Sequence, residues 1–167
     1  MFTRFMKWIT SDKKKLIMAV LGIFLLILAV DRWYWSRPYS PGKDELALRI
    51  QLDTGEDVGL LVYDYYMDGR QHGGGMSNAD GSLIKHDEQL FVVWNRNDEE
   101  MQITADSVDL WIRFRIITEY VTPNFENIYP EEITRYLEPL SWKADFGKAY
   151  DITITGDKDN GYVATLN

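Results

Sequence analysis

Residues 16 to 30, LIMAVLGIFLLILAV, form an unbroken run of apolar residues and glycine, and this run limits what the chain can become more than any other feature. In lipid such a run forms a helix, because backbone groups find no water there and must bond to one another. Fifteen helical residues extend about 22 Å, which is shorter than the ~30 Å hydrocarbon core, so flanking residues have to complete the span. We predict a transmembrane helix over residues 16 to 35.

Both ends of this span carry residues suited to the lipid headgroups. Lysine side chains reach from a helix end towards the headgroups, and tryptophan is enriched at the boundary between membrane and water. The sequence supplies lysine at one end and tryptophan at the other. We predict that five residues anchor the helix: Lys13, Lys14, Lys15, Trp33 and Trp35.

The distribution of basic residues predicts the orientation. Residues 1 to 15 contain five Lys or Arg, whereas residues 31 to 40 contain two. Since basic residues stay on the cytoplasmic side, we expect residues 1 to 15 to be cytoplasmic and the rest of the chain to lie outside the membrane. A cleaved signal peptide is the alternative, with Ile27 and Ala29 loosely matching a cleavage site. The long segment before the apolar run favours an anchor that is retained.

A linker and an acidic domain follow the span. Residues 36 to 43, SRPYSPGK, contain two prolines and predict an extended spacer before a domain over residues 44 to 167. Residues 41 to 167 hold eleven Lys or Arg and twenty-four Asp or Glu, a net charge of −13. Nucleic-acid binding is excluded, because it depends on Lys and Arg that neutralise phosphates. A basic partner is compatible with this charge.

The chain contains no cysteine. A small exported domain without disulfides must be stabilised by its hydrophobic core, and a domain of this length buries roughly two thirds of its unfolded surface. Combined with the single anchor, this predicts a bacterial protein held in the cell membrane, with its C-terminal domain extracytoplasmic.

Apolar residues alternate with polar ones through most of this domain, which is the period of a β-strand. In residues 45 to 52, for example, Leu46, Leu48 and Ile50 share one face. Further strands are predicted at residues 58 to 66, 82 to 86, 89 to 95, 107 to 120, 150 to 155 and 162 to 166. A proline at its first turn predicts one short helix at residues 130 to 137. The fold class is therefore mainly β: an antiparallel β-sandwich or curved sheet with one short helix, preceded by a transmembrane α-helix.

Residues 72 to 75, HGGG, match an element that forms an oxyanion hole in some esterases. The only nearby nucleophile, Ser77, overlaps this element instead of following it on a strand-to-helix turn. The ordinary interpretation of the three glycines is a bulge or a close approach of backbone. Two histidines without cysteine do not form a zinc pattern. We predict no catalytic residues, no cofactor and no metal, although Asp157 and Asp159 leave calcium binding open.

Aromatic residues offer the best indication of a binding surface. On residues 58 to 66, both faces carry large side chains, so one face is a candidate contact surface. Trp111 lies beside two arginines on the polar face of the strand at residues 107 to 120, a combination typical of interface hot spots. The candidate contact residues are Tyr63, Tyr65, Trp111, Arg113 and Arg115. Core packing of the tyrosines and internal ion pairs of the arginines are the alternatives.

Together these patterns predict a binding protein and not an enzyme. We expect a single-pass membrane protein, held in the lipid bilayer by residues 16 to 35, whose acidic domain binds another macromolecule. The expected partner is a protein, for instance an exported toxin in an immunity-type role. A cell-wall or carbohydrate-binding module is the alternative, since Tyr and Trp rings also stack on sugars.

Overall fold

A computed structural model describes residues 17, 18, 20 to 28, 39 to 98 and 101 to 167 of the chain. The chain divides into two compact units, residues 1 to 39 and residues 40 to 167. In the first unit, residues 17, 18 and 20 to 28 are helical. Across the described residues, none of the helices combines the length and the apolar character that a membrane crossing requires. The predicted anchor residues, Lys13 to Lys15, Trp33 and Trp35, lie outside the described ranges, and their role stays a prediction.

The described part of the second unit contains nine strands. They are β1 (Glu45–Thr54), β2 (Leu60–Met67), β3 (Arg70–Met76), β4 (Gln89–Asn95), β5 (Ser107–Ile117), β6 (Thr134–Tyr136), β7 (Leu140–Asp145), β8 (Ala149–Asp157) and β9 (Gly161–Leu166). A single 3₁₀ turn at Glu131–Ile133 precedes β6. The mainly β fold predicted from the alternation is confirmed.

Sheet 1 contains four strands in the order β4, β1, β8, β9. Strand β1 pairs with β4 in antiparallel fashion but with β8 in parallel, with Ile50 opposite Ile152. The expectation of a purely antiparallel arrangement is therefore wrong at this pair. Parallel neighbours require a long connection, and here the chain builds the second sheet before it returns as β8.

Sheet 2 contains five strands, with β3, β2 and β5 in order and both β6 and β7 paired with β5. Strand β5 is long enough for both partners: Arg115–Ile117 pairs with β6, and Ser107–Ile112 pairs with β7. All pairs in this sheet are antiparallel. Strand β5 therefore lies at the centre of the sheet, which agrees with its clear alternation.

The two sheets pack face to face and enclose one hydrophobic core. Leu48 and Ile50 of β1 belong to the same buried cluster as Ile112 and Phe114 of β5, and all four are inaccessible to solvent. Alternation places every second residue of these strands in the core, and burial of such side chains contributes about 1.5 to 3 kcal/mol each. The arrangement is a β-sandwich.

Two predicted elements differ from the structure. The helix at residues 130 to 137 is wrong, because only the 3₁₀ turn forms before Thr134 pairs with Ile117 as part of β6. The strand at residues 82 to 86 reduces to one bridge between Ile84 and Val58. Strand β7 was not predicted. Pairing with the central strand β5 overrides the local preferences in β6 and β7.

The glycine run at residues 73 to 75 belongs to a regular edge strand. Strand β3 pairs with β2 residue by residue without a bulge, and Gly74 lies opposite Tyr63. A Cβ atom on Gly74 would stand 2.5 Å from the Tyr63 hydroxyl oxygen. The glycine therefore provides room for a tyrosine ring, and the predicted bulge does not form.

Candidate partner-binding face

The outer side of sheet 2 carries a group of aromatic side chains, two of which are exposed. Because Leu110, Ile112 and Phe114 point into the core, the alternate residues Trp111 and Arg113 point outwards. The pairing of neighbouring strands places two tyrosines beside these residues. Tyr66 on β2 lies opposite Trp111, and Tyr136 on β6 lies opposite Arg115, which shares the outer side of β5 with Arg113. We call the group Tyr66, Trp111, Arg113 and Tyr136 the aromatic face.

The rings of the aromatic face contact one another and surround a cation. Tyr66 and Trp111 meet edge to face, with ring centroids 5.3 Å apart and planes inclined at 75°. The Arg113 guanidinium carbon lies 5.8 Å from the centre of the Trp111 ring and 5.7 Å from that of Tyr136. These distances allow cation–π attraction to both rings. The group is thus held in place by its own contacts.

Much of this face is open to solvent. Tyr136 is 52% exposed and Tyr66 is 41% exposed, and the Arg113 side chain is 41% exposed. The Tyr66 hydroxyl donates a hydrogen bond of 2.9 Å to Oε1 of Gln71, which fixes the ring. Aromatic rings that are ordered and exposed can be buried against a partner with little loss of conformational entropy.

Arg115 occupies the same strand face but has a structural role. Its side chain is only 12% exposed and forms an ion pair of 3.2 Å with Asp64. It also donates a hydrogen bond of 2.8 Å to the backbone oxygen of Asn127. Arg113, by contrast, approaches Asp64 no closer than 3.8 Å. Internal pairing, the alternative raised from the sequence, therefore applies to Arg115 far more than to Arg113.

Tyr63 and Tyr65 lie on the inner side of sheet 2. Tyr65 is 6% exposed and packs against His72 and Trp94, with ring centroids 5.2 and 4.8 Å apart respectively. Tyr63 is half-buried, and this burial raises its pKa. Both side chains belong to the core and not to an outer surface, because the face of β2 that carries Tyr65 is the one covered by sheet 1. We leave them out of the candidate face.

Two members of the aromatic face, Tyr66 and Tyr136, were missed from the sequence. Tyr66 alternates with Tyr65, and the sequence does not show which side of β2 faces the core. Tyr136 fell in the segment predicted as helical, where its neighbours on β5 could not be foreseen. Trp111 beside Arg113 on the polar side of the strand was the one usable signal.

The aspartates considered for calcium are engaged by a tight turn. One Asp157 oxygen accepts hydrogen bonds from the backbone nitrogens of Asp159 at 2.9 Å and Asn160 at 2.8 Å. Together with the Asn160 side chain, these bonds lower the pKa of Asp157. Within the described ranges, no three His, Asp or Glu side chains gather at a position suited to a metal ion.

A separate charged cluster surrounds Asp57. Its carboxylate accepts hydrogen bonds from Lys85 Nζ at 2.7 Å, from His86 Nδ1 at 2.9 Å and from the His86 backbone nitrogen at 3.0 Å. These bonds lower the pKa of Asp57, chiefly through Lys85, and raise the pKa of His86. The cluster ties the segment around residue 86 to the end of β1, and it is not part of the aromatic face.

No protein-family model matches the sequence. No curated protein matches it either. Among solved structures, a non-hemolytic pneumolysin from Streptococcus pneumoniae is similar at 9% identity and a TM-score of 0.37, covering 74% of this chain and 23% of that one. A Gram-negative toxin is similar at 8% identity and a TM-score of 0.38, covering 75% and 23%.

The membrane-binding domain of pneumolysin is similar at 9% identity and a TM-score of 0.35, covering 74% of this chain and 96% of that one. The chain spans about a quarter of the length of the complete toxins. TM-scores this low do not establish a shared fold, so the functions of these proteins do not transfer to this chain.

Proposed function

We propose that this chain is a single-pass, membrane-anchored surface protein whose acidic β-sandwich binds a protein partner through the aromatic face. The observation that carries the proposal is the exposure of Tyr66 and Tyr136, which flank the contact between Trp111 and the Arg113 guanidinium on an acidic domain. Trp, Tyr and Arg are the residue types most enriched among interface hot spots. Their prior order reduces the entropy lost on binding.

Charge supports a basic partner. The net charge of −13 over residues 41 to 167 creates a negative potential that accelerates association with a positively charged surface and disfavours acidic competitors. An immunity-type role, in which the domain occupies a basic site on an exported toxin, is the specific form of this proposal. Arg113 then provides a positively charged contact that orients the partner on a negatively charged domain.

The described helical residues support the anchor. Large apolar side chains face every direction around this helix, and each is about half exposed or more, including Leu21, Phe24 and Leu28. A helix that is apolar on all sides is characteristic of burial in lipid or in a large core. We propose that it lies in the cell membrane with residues 1 to 15 in the cytoplasm.

The test is binding to proteins encoded next to this chain, each co-expressed and purified with it. We expect one of them to bind, and Trp111→Ala to weaken that binding by about 30-fold, as for a hot spot worth ~2 kcal/mol. Val163→Ala is the control, because Val163 is 59% exposed on the outer side of sheet 1. Absence of binding by every neighbour, or equal loss in both variants, would contradict the proposal.

Exposed tyrosine rings also fit the surface of a sugar, which makes a cell-wall or carbohydrate-binding module the second candidate. The Tyr136 ring is the most exposed of the aromatic face and could stack on a pyranose. Sedimentation of the protein with purified cell walls that is lost in Tyr136→Ala would favour this function over protein binding. Sedimentation that persists in the variant would exclude the aromatic face as the sugar site.

A further inference from the structure

The loop between β5 and the 3₁₀ turn ends in an exposed apolar tip. Phe125 is fully exposed and is the most exposed large apolar side chain in the described part of the chain. Ile128, three residues later, is also largely exposed. We call residues 121 to 130 the tip loop. Two such side chains on one loop leave apolar area in water that a partner can cover.

The tip loop is held in a defined conformation. The Asn124 side chain donates a hydrogen bond of 3.0 Å to the backbone oxygen of Ile128 and accepts one of 3.3 Å from its nitrogen. Arg115 donates a hydrogen bond to the backbone oxygen of Asn127. Tyr129 packs on a small buried cluster formed by Leu60, Val62 and Ile117. Phe125 is therefore presented by a framed loop, so docking it orders few additional groups.

The segment that carries the tip has an acidic sequence. Residues 118 to 134 contain no Lys or Arg. They contain four exposed glutamates: Glu119, Glu126, Glu131 and Glu132. Among the residues that the structure describes, none of the four forms a salt bridge. These glutamates repel anionic lipid and the same segment of a second copy, whereas they attract a surface that is rich in Lys and Arg.

The tip loop folds back over the outer side of sheet 2: Arg115 bonds to Asn127, and a Cβ atom on Gly73 of β3 would stand 3.4 Å from the Asn127 side-chain nitrogen. It is also continuous with the aromatic face, because Arg115 contacts the loop and lies opposite Tyr136.

We infer that the tip loop is a second docking element for the same protein partner, which receives Phe125 in an apolar pocket rimmed by Lys and Arg. The inference rests on the proposed function, since it assumes a protein bound at the aromatic face. The loop supplies the anchor, the glutamates orient a basic rim around it, and the aromatic face covers the adjoining area. Both elements lie on the outer side of sheet 2, so one partner surface can cover them together.

The test places a photoreactive residue, p-benzoylphenylalanine, at position 125 of the full chain in its own cells. The same residue is placed at position 136, in the aromatic face, and at position 163 as an exposed control on the other sheet. Irradiation is followed by identification of each adduct by mass spectrometry. We expect positions 125 and 136 to form adducts with the same protein, of basic isoelectric point, and position 163 to form none.

Charge reversal tests the basic rim. In the chain carrying the photoreactive residue at position 125, we expect Glu126→Lys to reduce the adduct yield about tenfold, since like charges placed against each other at an interface are strongly unfavourable. Asp53→Lys is the matched control, because Asp53 is an exposed acid on β1 in sheet 1, and its yield should not change. Far-ultraviolet circular dichroism verifies that both variants are folded.

The outcomes separate the two proposals. An adduct at position 136 without one at 125, or an adduct at 125 with phospholipid, with another copy of this chain or with an acidic protein, overturns the inference and leaves the proposed function in place. An unchanged yield in Glu126→Lys overturns the basic rim. Absence of adducts at both 125 and 136 overturns the inference and the proposed function together.

Discussion

Individual residues in this domain are constrained by what lies directly across the sheet. Gly74 on the edge strand β3 faces Tyr63, whose ring lies over it. The same ring also packs against Phe114, with centroids 6.3 Å apart. An aromatic ring that covers a glycine on a neighbouring strand is a known means of stabilising glycine in sheets. The glycine run thus has a packing reason that is independent of catalysis.

Gly74→Ala is expected to lower the free energy of unfolding by about 1 to 2 kcal/mol, because the new methyl group forces the Tyr63 ring out of its packed position. Gly75→Ala is the matched control, since its Cβ would stand 3.7 Å or more from the nearest atoms, and we expect a change within ~0.5 kcal/mol. Urea unfolding of the full chain in detergent, followed by tryptophan fluorescence, measures both. Equal losses would refute the role of the ring.

The pair of His86 and Asp57 makes stability depend on pH. The hydrogen bond between the His86 ring and Asp57 raises the pKa of His86 above the ordinary value of 6.5. Because the pKa of His86 is raised in the folded state, its pairing with Asp57 stabilises the fold fully below about pH 6.5. This stabilisation is lost as the pH rises through the folded-state pKa of His86. We therefore expect His86→Gln to lower Tm at pH 5.5 and to have little effect at pH 9.

Thermal melts of the wild type and the His86→Gln variant at both pH values measure this dependence. Asp57→Asn is the control background. Without the Asp57 carboxylate, His86→Gln should no longer lower Tm at pH 5.5. A difference in Tm that is the same at pH 5.5 and pH 9 would show that the ion pair is not the cause.

Among the elements, β2, β5 and the tip loop are joined through Arg115, by a partly buried ion pair and a hydrogen bond. Asp64 on β2 pairs with Arg115 on β5, and Arg115 in turn bonds to Asn127 in the loop. Arg113, one pleat away on the same face, has only a long contact with Asp64. Arg115 therefore links the two strands and the loop, whereas Arg113, on the same face of β5, does not.

We expect Arg115→Ala to lower the free energy of unfolding by about 2 kcal/mol, because Asp64 loses its main partner while remaining largely buried. Arg113→Ala should cost less than ~0.5 kcal/mol, as is usual for exposed ion pairs. Urea unfolding measures both, and hydrogen exchange should show faster exchange in the tip loop of Arg115→Ala only. Similar losses in the two variants would contradict this division of roles.

At the scale of the whole molecule, charge and hydropathy divide along the sequence. Residues 1 to 40 hold seven Lys or Arg and two Asp or Glu, against the acidic remainder. We expect the wild-type chain to stay with membranes after carbonate extraction and its domain to be removed by protease from intact cells. Leu25→Lys with Leu26→Lys should release the chain, since each lysine costs about 3 kcal/mol near the centre of a span.

Leu25→Ala with Leu26→Ala is the control for this pair, because it changes size without adding charge, and it should remain in the membrane fraction. Recovery of the wild-type chain as a free cytosolic protein, or protection of its domain from added protease, would overturn the proposed topology.

The sequence by itself determined the class of this fold and most of its strands. Alternation is a local property, so β1, β4, β5 and the final hairpin could be located from their own residues. The short strands β6 and β7 could not, because both are stabilised by pairing with β5 and not by local preference. The parallel contact between β1 and β8 joins segments about a hundred residues apart, and no local pattern encodes it.

The candidate face shows the same division. The sequence identified Trp111 and Arg113, because a large aromatic and a cation on the polar side of a strand are visible in the alternation. Only the tertiary structure decided that Tyr65 is internal and that Tyr66 and Tyr136 are external. Which side of a strand becomes the core depends on where the other sheet packs. The inner side of each strand is decided by the burial of all the strands together, and the sequence of a single strand does not determine it.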